Sequence, residues 1–209
     1  MYYHDLGKQV LFWNPRCGLS TLREWCSRVT KEKIPLTPES PYAKVGEGKE
    51  NILIVRDPID RFVSILNHPL VFHYLGPAMG IGRIELFLDL LEKNGLNFND
   101  HLRLQCRLQD KPGVHETEDI SSFFTHIIRL EDGNLIEKVN KLTRNTISDI
   151  WENTRDKKLK HFIAYNPGKY PYKFTDMDMI TEDILNEERI ERIKKLYHWD
   201  YIHFYPELL

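Results

Sequence analysis

The 209-residue chain lacks most of the features that place a protein quickly. No run approaches the roughly 18 apolar residues of a membrane-spanning helix, so no transmembrane segment is expected. Met1-Tyr2-Tyr3-His4-Asp5 lacks a basic stretch followed by a long apolar one, so no signal peptide is expected there. There is no excess of one charge: 29 Lys and Arg stand against 31 Asp and Glu, a formal net charge of -2. That balance argues against nucleic acid or a membrane surface as partner, and any basic group that matters must act locally. Cysteine is scarce. Cys17, Cys26 and Cys106 are an odd number without metal-type clustering, which fits a reducing, cytoplasmic setting better than a disulfide scaffold. No Gly-x4-Gly-Lys-(Ser/Thr) motif occurs, which weakens a nucleoside-triphosphate kinase reading. Low-complexity segments, internal repeats and a clear domain boundary are also missing, so residues 1–209 read as one domain, long enough to bury a core.

What is present begins with Val10-Leu11-Phe12-Trp13, a strand-like apolar run that breaks at Asn14-Pro15. Arg16, Gly18, Ser20 and Thr21 follow, and then Leu22, Trp25 and Val29 at helical spacing. Strand, tight loop and helix N-terminus make an anion site, because unpaired N–H groups and the helix dipole converge there. Arg16 adds a full charge, and Ser20 and Thr21 add hydroxyl donors.

A second unit repeats the pattern. Asn51-Ile52-Leu53-Ile54-Val55 is continuous rather than alternating, as expected of a strand buried on both faces. It ends at Arg56-Asp57-Pro58, where Asp57 suits a helix cap and Pro58 a first helical turn. Ile59, Phe62, Val63 and Leu66 then resume helical spacing. Two such units imply an α/β fold, with ligand expected beyond the strand C-termini. Further helices are expected around Ile84–Leu91, closed by Asn94-Gly95, over Leu135–Leu142 and over Glu182–Leu196. A third strand is expected at His126–Leu130, and the aromatic tail Tyr197–Tyr205 is expected to pack onto the body. The Pro- and Gly-bearing connector 31–50, and residues 68–82 and 145–175, read as irregular.

Two cation-bearing loops at two strand ends suit a ligand with two separated anionic groups. Taken together, Pro15-Arg16-Cys17-Gly18-Leu19-Ser20-Thr21 and Val55-Arg56-Asp57-Pro58-x-x-Arg61-x-x-Ser64 resemble the 5'-phosphosulfate and 3'-phosphate motifs of sulfotransferases. The Arg61-Phe62-Val63-Ser64 variant is most similar to the carbohydrate (Golgi-type and bacterial family 2) sulfotransferases. Weaker similarities extend it: Asp100-His101-Leu102-Arg103-Leu104-Gln105, Ile128-Arg129-Leu130-Glu131-Asp132, the ending Leu196–Tyr205, and the basic-aromatic loop Gly168-Lys169-Tyr170-Pro171. The resemblance implies a P-loop nucleotide-kinase-like three-layer fold with a central, mostly parallel sheet. It implies 3'-phosphoadenosine 5'-phosphosulfate as donor, adenosine 3',5'-bisphosphate as product, and a hydroxyl acceptor, a glycan or glycolipid first. It assigns Arg16, Cys17, Gly18, Leu19, Ser20 and Thr21 to the 5'-phosphosulfate, Arg56 and Ser64 to the 3'-phosphate, and Lys169 to a further cofactor loop.

The family usually has Lys where this chain has Arg16, and a hydroxyl residue where it has Leu19. An arginine grips two oxygens and stabilises charge on a leaving phosphate, but is a poor proton donor. The acceptor hydroxyl must lose a proton, and His101, within the similar segment, is the candidate base beside catalytic Arg16. A surface or structural role for His101 stays open, and His68 and His73 are lesser candidates. Glu131 is read as capping a turn or orienting a neighbour.

Three alternatives remain: a kinase on the same fold, a non-catalytic relative binding a nucleotide or polyanion, and a cysteine phosphatase. The last rests on Cys17-x5-Arg23 and on a thiolate favoured by the helix N-terminus and Arg16. It fares worst, because Leu22 and Arg23 fall inside the apparent helix and the Arg56–Ser64 motif is left unexplained.

Overall fold

The computed structural model describes residues 1–31, 45–66, 81–96, 102, 104–106, 123–148, 150 and 185–209. Its centre is a four-stranded sheet in the order β1 (Tyr2–Asp5), β2 (Gln9–Trp13), β3 (Glu50–Val55), β4 (His126–Arg129). β2, β3 and β4 are parallel, and β1 runs antiparallel along β2. Six helices accompany it among the described residues: α1 (Leu19–Thr30), α2 (Pro58–Leu66), α3 (Ile81–Asn94), α4 (Leu135–Thr143), α5 (Glu187–Leu196) and α6 (His198–Phe204).

The continuous apolar runs of β2 and β3 are explained by helices on both faces. Val10, Phe12, Leu53 and Val55 pack with Phe62, Phe87, Ile193 and Tyr201 on one side. Leu11, Trp13, Ile52 and Ile54 pack with Leu22, Trp25 and Val139 on the other. The side-chain period of two turns each strand into two interfaces, so neither face can afford a polar break. α1 and α4 are tied further by the Trp25 indole N–H, which donates to Asn140 Oδ1 at 2.8 Å.

The expected helices and strands are found, with ends shifted by a residue or a few. Gly95, at φ 73°, closes α3 and returns its N–H to Leu91 O at 2.7 Å. α5 begins at Glu187 rather than Glu182, capped by Asn186, whose side chain accepts from the Arg189 N–H at 2.9 Å. The aromatic tail folds down as α6, with Tyr201 and Phe204 buried. β1 is new relative to the sequence reading, which saw no strand before Val10. Most of the 31–50 connector and of 68–82 and 145–175 lies outside the described residues.

α3 and α5 are joined by an ion network. Arg192 meets Glu85, Asp89 and Glu92 at 2.7, 2.5 and 2.7 Å, and Arg189 meets Glu85 at 2.6 Å. Networks of this kind outperform isolated surface pairs, whose worth is about 0–1 kcal/mol. Arg192→Ala is expected to lower stability by about 1 kcal/mol in dilute buffer, and by less near 1 M salt, where screening is strong. Urea titrations at the two salt levels measure the difference.

No helix among the described residues is long and apolar enough to cross a membrane.

Candidate functional site

The C-terminal ends of the three parallel strands each release a loop, and the loops are bonded to one another. The first runs from Asn14 to Gly18. Arg16 adopts φ 75° and Gly18 φ 73°. A left-handed non-glycine residue costs roughly 1–2 kcal/mol, and such cost collects at functional turns. At Gly18 both conformation and space demand glycine, since a Cβ there would lie 3.1 Å from Leu135 Cδ2.

Beyond Gly18, α1 starts with no side-chain cap and no acidic residue in its first turn. Leu22 N–H, bonded to Gly18 O at 2.9 Å, is the first to return into the helix. The N–H groups before it have no intrahelical acceptor and present a partial positive charge. Ser20 is exposed, Thr21 is buried, and the half-buried Leu19 packs its side chain against the core, leaving its main-chain N–H as its contribution.

The second loop supplies the other cations. Asp57 caps α2, accepting from Ile59 and Asp60 N–H at 2.9 and 3.0 Å, as expected from the sequence. Arg56 donates from Nη1 to Arg16 O at 3.4 Å and reaches Asp60 at 3.6 Å. Arg61 is fully buried; its Nε donates to Pro15 O at 3.3 Å, and its guanidinium lies 5.9 Å from the centre of the Tyr197 ring. Two arginines of the second unit therefore hold consecutive carbonyls of the first loop. Ser64, on the second turn of α2, is half-buried, and its hydroxyl makes no hydrogen bond among the described residues.

Arg16 stands out electrostatically. Its Nε and Nη2 are buried and find no hydrogen-bond partner among the described residues. Burial, and then the charges of Arg56 and Arg61, push its guanidinium down to about 9. It remains charged at neutral pH, confined beside two like charges with donors unspent. Unpaired buried donors and concentrated positive charge are the complement of an oxyanion.

Cys17 behaves otherwise than a thiolate would. Burial pushes its thiol up to about 11, and it donates to Gln105 Oε1 at 3.0 Å. The thiolate expected from the helix N-terminus and Arg16 is thus not favoured, because desolvation outweighs the nearby positive charges. A phosphatase nucleophile at Cys17 is not supported. Among the described residues no His, Cys, Asp and Glu cluster suits a metal ion.

The third strand end contributes Glu131. One carboxylate oxygen accepts from Asp57 N–H at 2.7 Å and the other from the Tyr205 hydroxyl at 2.9 Å. Both oxygens are engaged, so Glu131 ties the second loop to the chain end. Although Glu131 as a residue is exposed, desolvation of its bonded carboxyl raises it above the ordinary glutamate value.

The structure thus brings together Arg16, Cys17, Gly18, Leu19, Ser20, Thr21 and Arg56, with Ser64 on the adjoining helix. His101 and Lys169, and the alternatives His68 and His73, lie outside the described residues. Sequence reasoning gave no role to Asn14, whose Nδ2 donates to Gln105 O at 3.3 Å. It also gave none to Asp200, which accepts from Cys106 N–H at 2.9 Å. Asp200 and Tyr205 stood within the aromatic ending, but nothing in that pattern marks a carboxylate as buried.

Compared with known proteins, the chain matches no family model, no curated protein and no solved structure.

Proposed function

We propose that the protein is a sulfotransferase that moves a sulfuryl group from 3'-phosphoadenosine 5'-phosphosulfate to a hydroxyl acceptor of carbohydrate type, a glycan or glycolipid. The observation carrying this reading is the half-buried Arg16, whose Nε and Nη2 are buried and unpartnered, at the uncapped N-terminus of α1 and beside Arg56 and Arg61. In this reading the fold is of the P-loop nucleotide-kinase type, which helices on both faces of a mostly parallel sheet support. Three free cysteines among the described residues accord with a reducing cytoplasm.

Arg16 and the first turn of α1 receive the 5'-phosphosulfate, and Arg56 with the Ser64 hydroxyl receives the 3'-phosphate. The donor supplies an activated sulfuryl group whose bond to the 5'-phosphate oxygen breaks as the acceptor oxygen bonds to sulfur. Arg16 stabilises the charge left on that phosphate, and positioning does most of the remaining work. The acceptor proton goes to a base, for which His101 is the proposed residue, a contribution of about 10²–10⁴-fold.

Calorimetric titration with adenosine 3',5'-bisphosphate and with ATP tests the site. Binding of the bisphosphate in preference to ATP is expected; the reverse preference makes the protein a kinase on a similar fold. Incubation with labelled donor and a panel of glycans tests the chemistry. Bisphosphate binding without transfer to any acceptor would mark a non-catalytic relative.

A further inference from the structure

β3 ends at Val55, which pairs with Arg129 of β4. Arg56, the next residue, has left the ladder, and its N–H and C=O must find partners elsewhere or be buried at a cost. Both are taken by one side chain. Gln105 Oε1 accepts from Arg56 N–H at 2.8 Å, and Gln105 Nε2 donates to Arg56 O at 2.7 Å. A primary amide can do this in one orientation only, since the reverse would oppose donor to donor and acceptor to acceptor. The amide imitates a neighbouring strand for one residue beyond the sheet.

The same amide reaches the first loop and the chain end. Oε1 also accepts from the Cys17 thiol at 3.0 Å, and Nε2 lies 3.4 Å from Asp200 Oδ2. The Gln105 carbonyl accepts from Asn14 Nδ2 at 3.3 Å. Gln105 is fully buried and touches both cation-bearing loops while standing on neither.

We infer that Gln105 is the positioning residue that sets the separation between the Arg16 and Arg56 loops, and so between the two anionic groups a single ligand must present. This rests on the two-anion reading of the site. Glutamine is the residue type suited to the task. Glutamate would turn an acceptor toward Arg56 O and a charge toward Asp200, asparagine is one methylene short, and leucine would leave both Arg56 groups unpaired.

The test compares wild type with Gln105→Leu and Gln105→Glu by calorimetry with adenosine 3',5'-bisphosphate, 5'-AMP and 3'-AMP. The bisphosphate profits from engaging both loops at once, an advantage that depends on their spacing. The variants are expected to lose about tenfold or more of its affinity relative to the two monophosphates. An equal loss for all three nucleotides, or none, overturns the inference. A ligand-free readout separates this from failure of the two-anion reading. Amide exchange at Arg56 is expected to quicken by about tenfold or more in Gln105→Leu while Trp13 and Ile54 stay protected. Wild type that does not bind the bisphosphate defeats the functional reading, and unchanged Arg56 exchange then defeats the role of Gln105 as well. If Gln105→Leu does not fold, the near-isosteric Gln105→Glu decides by the nucleotide ratio.

Discussion

Arg16→Ala is expected to abolish most of the affinity for adenosine 3',5'-bisphosphate without destabilising the free protein. A charge-assisted hydrogen bond to a buried group is worth about 1.5–3 kcal/mol, so the loss should be roughly 10- to 150-fold. The free protein should respond the opposite way. Its Arg16 guanidinium, half-buried beside Arg56 and Arg61, is pushed down to about 9, so the folded state bears a cost the unfolded chain escapes. Removing the charge relieves that cost, and the left-handed φ of 75° gives no compensating gain for retaining arginine. Thermal unfolding with and without bisphosphate checks both halves. A variant that is less stable alone, yet equally stabilised by the nucleotide, would show that Arg16 is a structural residue.

The pH dependence follows from the same shift. Between about 9 and the ordinary arginine value of 12.5, the unfolded chain keeps the Arg16 proton that the folded one has shed. The Arg16 contribution to stability therefore improves as pH rises through that window. Bisphosphate affinity runs the other way, falling as pH rises past about 9 and the positive charge is lost. Titrations from pH 7 to 10 read this directly, and Arg16→Ala should flatten the part of the profile that belongs to Arg16.

Arg61→Leu should have the largest effect on stability. Arg61 and Asp200 are both fully buried, and the Arg61 charge is what chiefly offsets the burial that raises the Asp200 carboxyl above its ordinary value. Asp200 keeps its bonds from Cys106 N–H and Gln105 Nε2, so losing the Arg61 charge is expected to cost about 3 kcal/mol, the low end for a buried charge that loses its counter-charge. The substitution also removes the donor to Pro15 O and the cation over Tyr197. Without Arg61 the Asp200 carboxyl rises further. A buried acid with a raised value takes up protons on folding, so its state is relieved as pH falls toward and below that value. The deficit of Arg61→Leu relative to wild type should accordingly be smaller near pH 5 than near pH 7.5 in urea unfolding. A deficit independent of pH would place the loss in packing instead of in the stranded Asp200 charge.

How much of this was legible in sequence depended on whether the signal was local. Val10–Trp13 and Asn51–Val55 announced themselves because a strand buried on both faces has no room for a polar residue. β1 escaped notice because Tyr2-Tyr3-His4-Asp5 is an edge strand that pairs through its backbone and is mostly half-buried, so it needs no apolar pattern. The loop Arg16–Thr21 and the Asp57 cap were visible because turn and cap chemistry is written into neighbouring residues. At Cys17 the helix terminus and the cation that favour a thiolate are local features, but the burial that outweighs them is not.

By itself, then, the sequence determined the alternation of strand, polar loop and helix, and the placing of a cation in each of two loops. Those follow from hydrophobic period and from the conformational limits of Pro, Gly and Asp, which act over a few residues. Tertiary structure alone decided that Arg56 and Arg61 hold the main chain of the Arg16 loop, that Arg16 keeps buried nitrogens unspent, and that Gln105, Glu131, Asp200 and Tyr205 bind the strand ends together. Hydrogen bonds between residues such as Gln105 and Arg56, 49 positions apart, leave no periodicity behind. Burial, which set the state of Arg16, Cys17 and Asp200, belongs to the packed assembly of chain segments and not to any one of them.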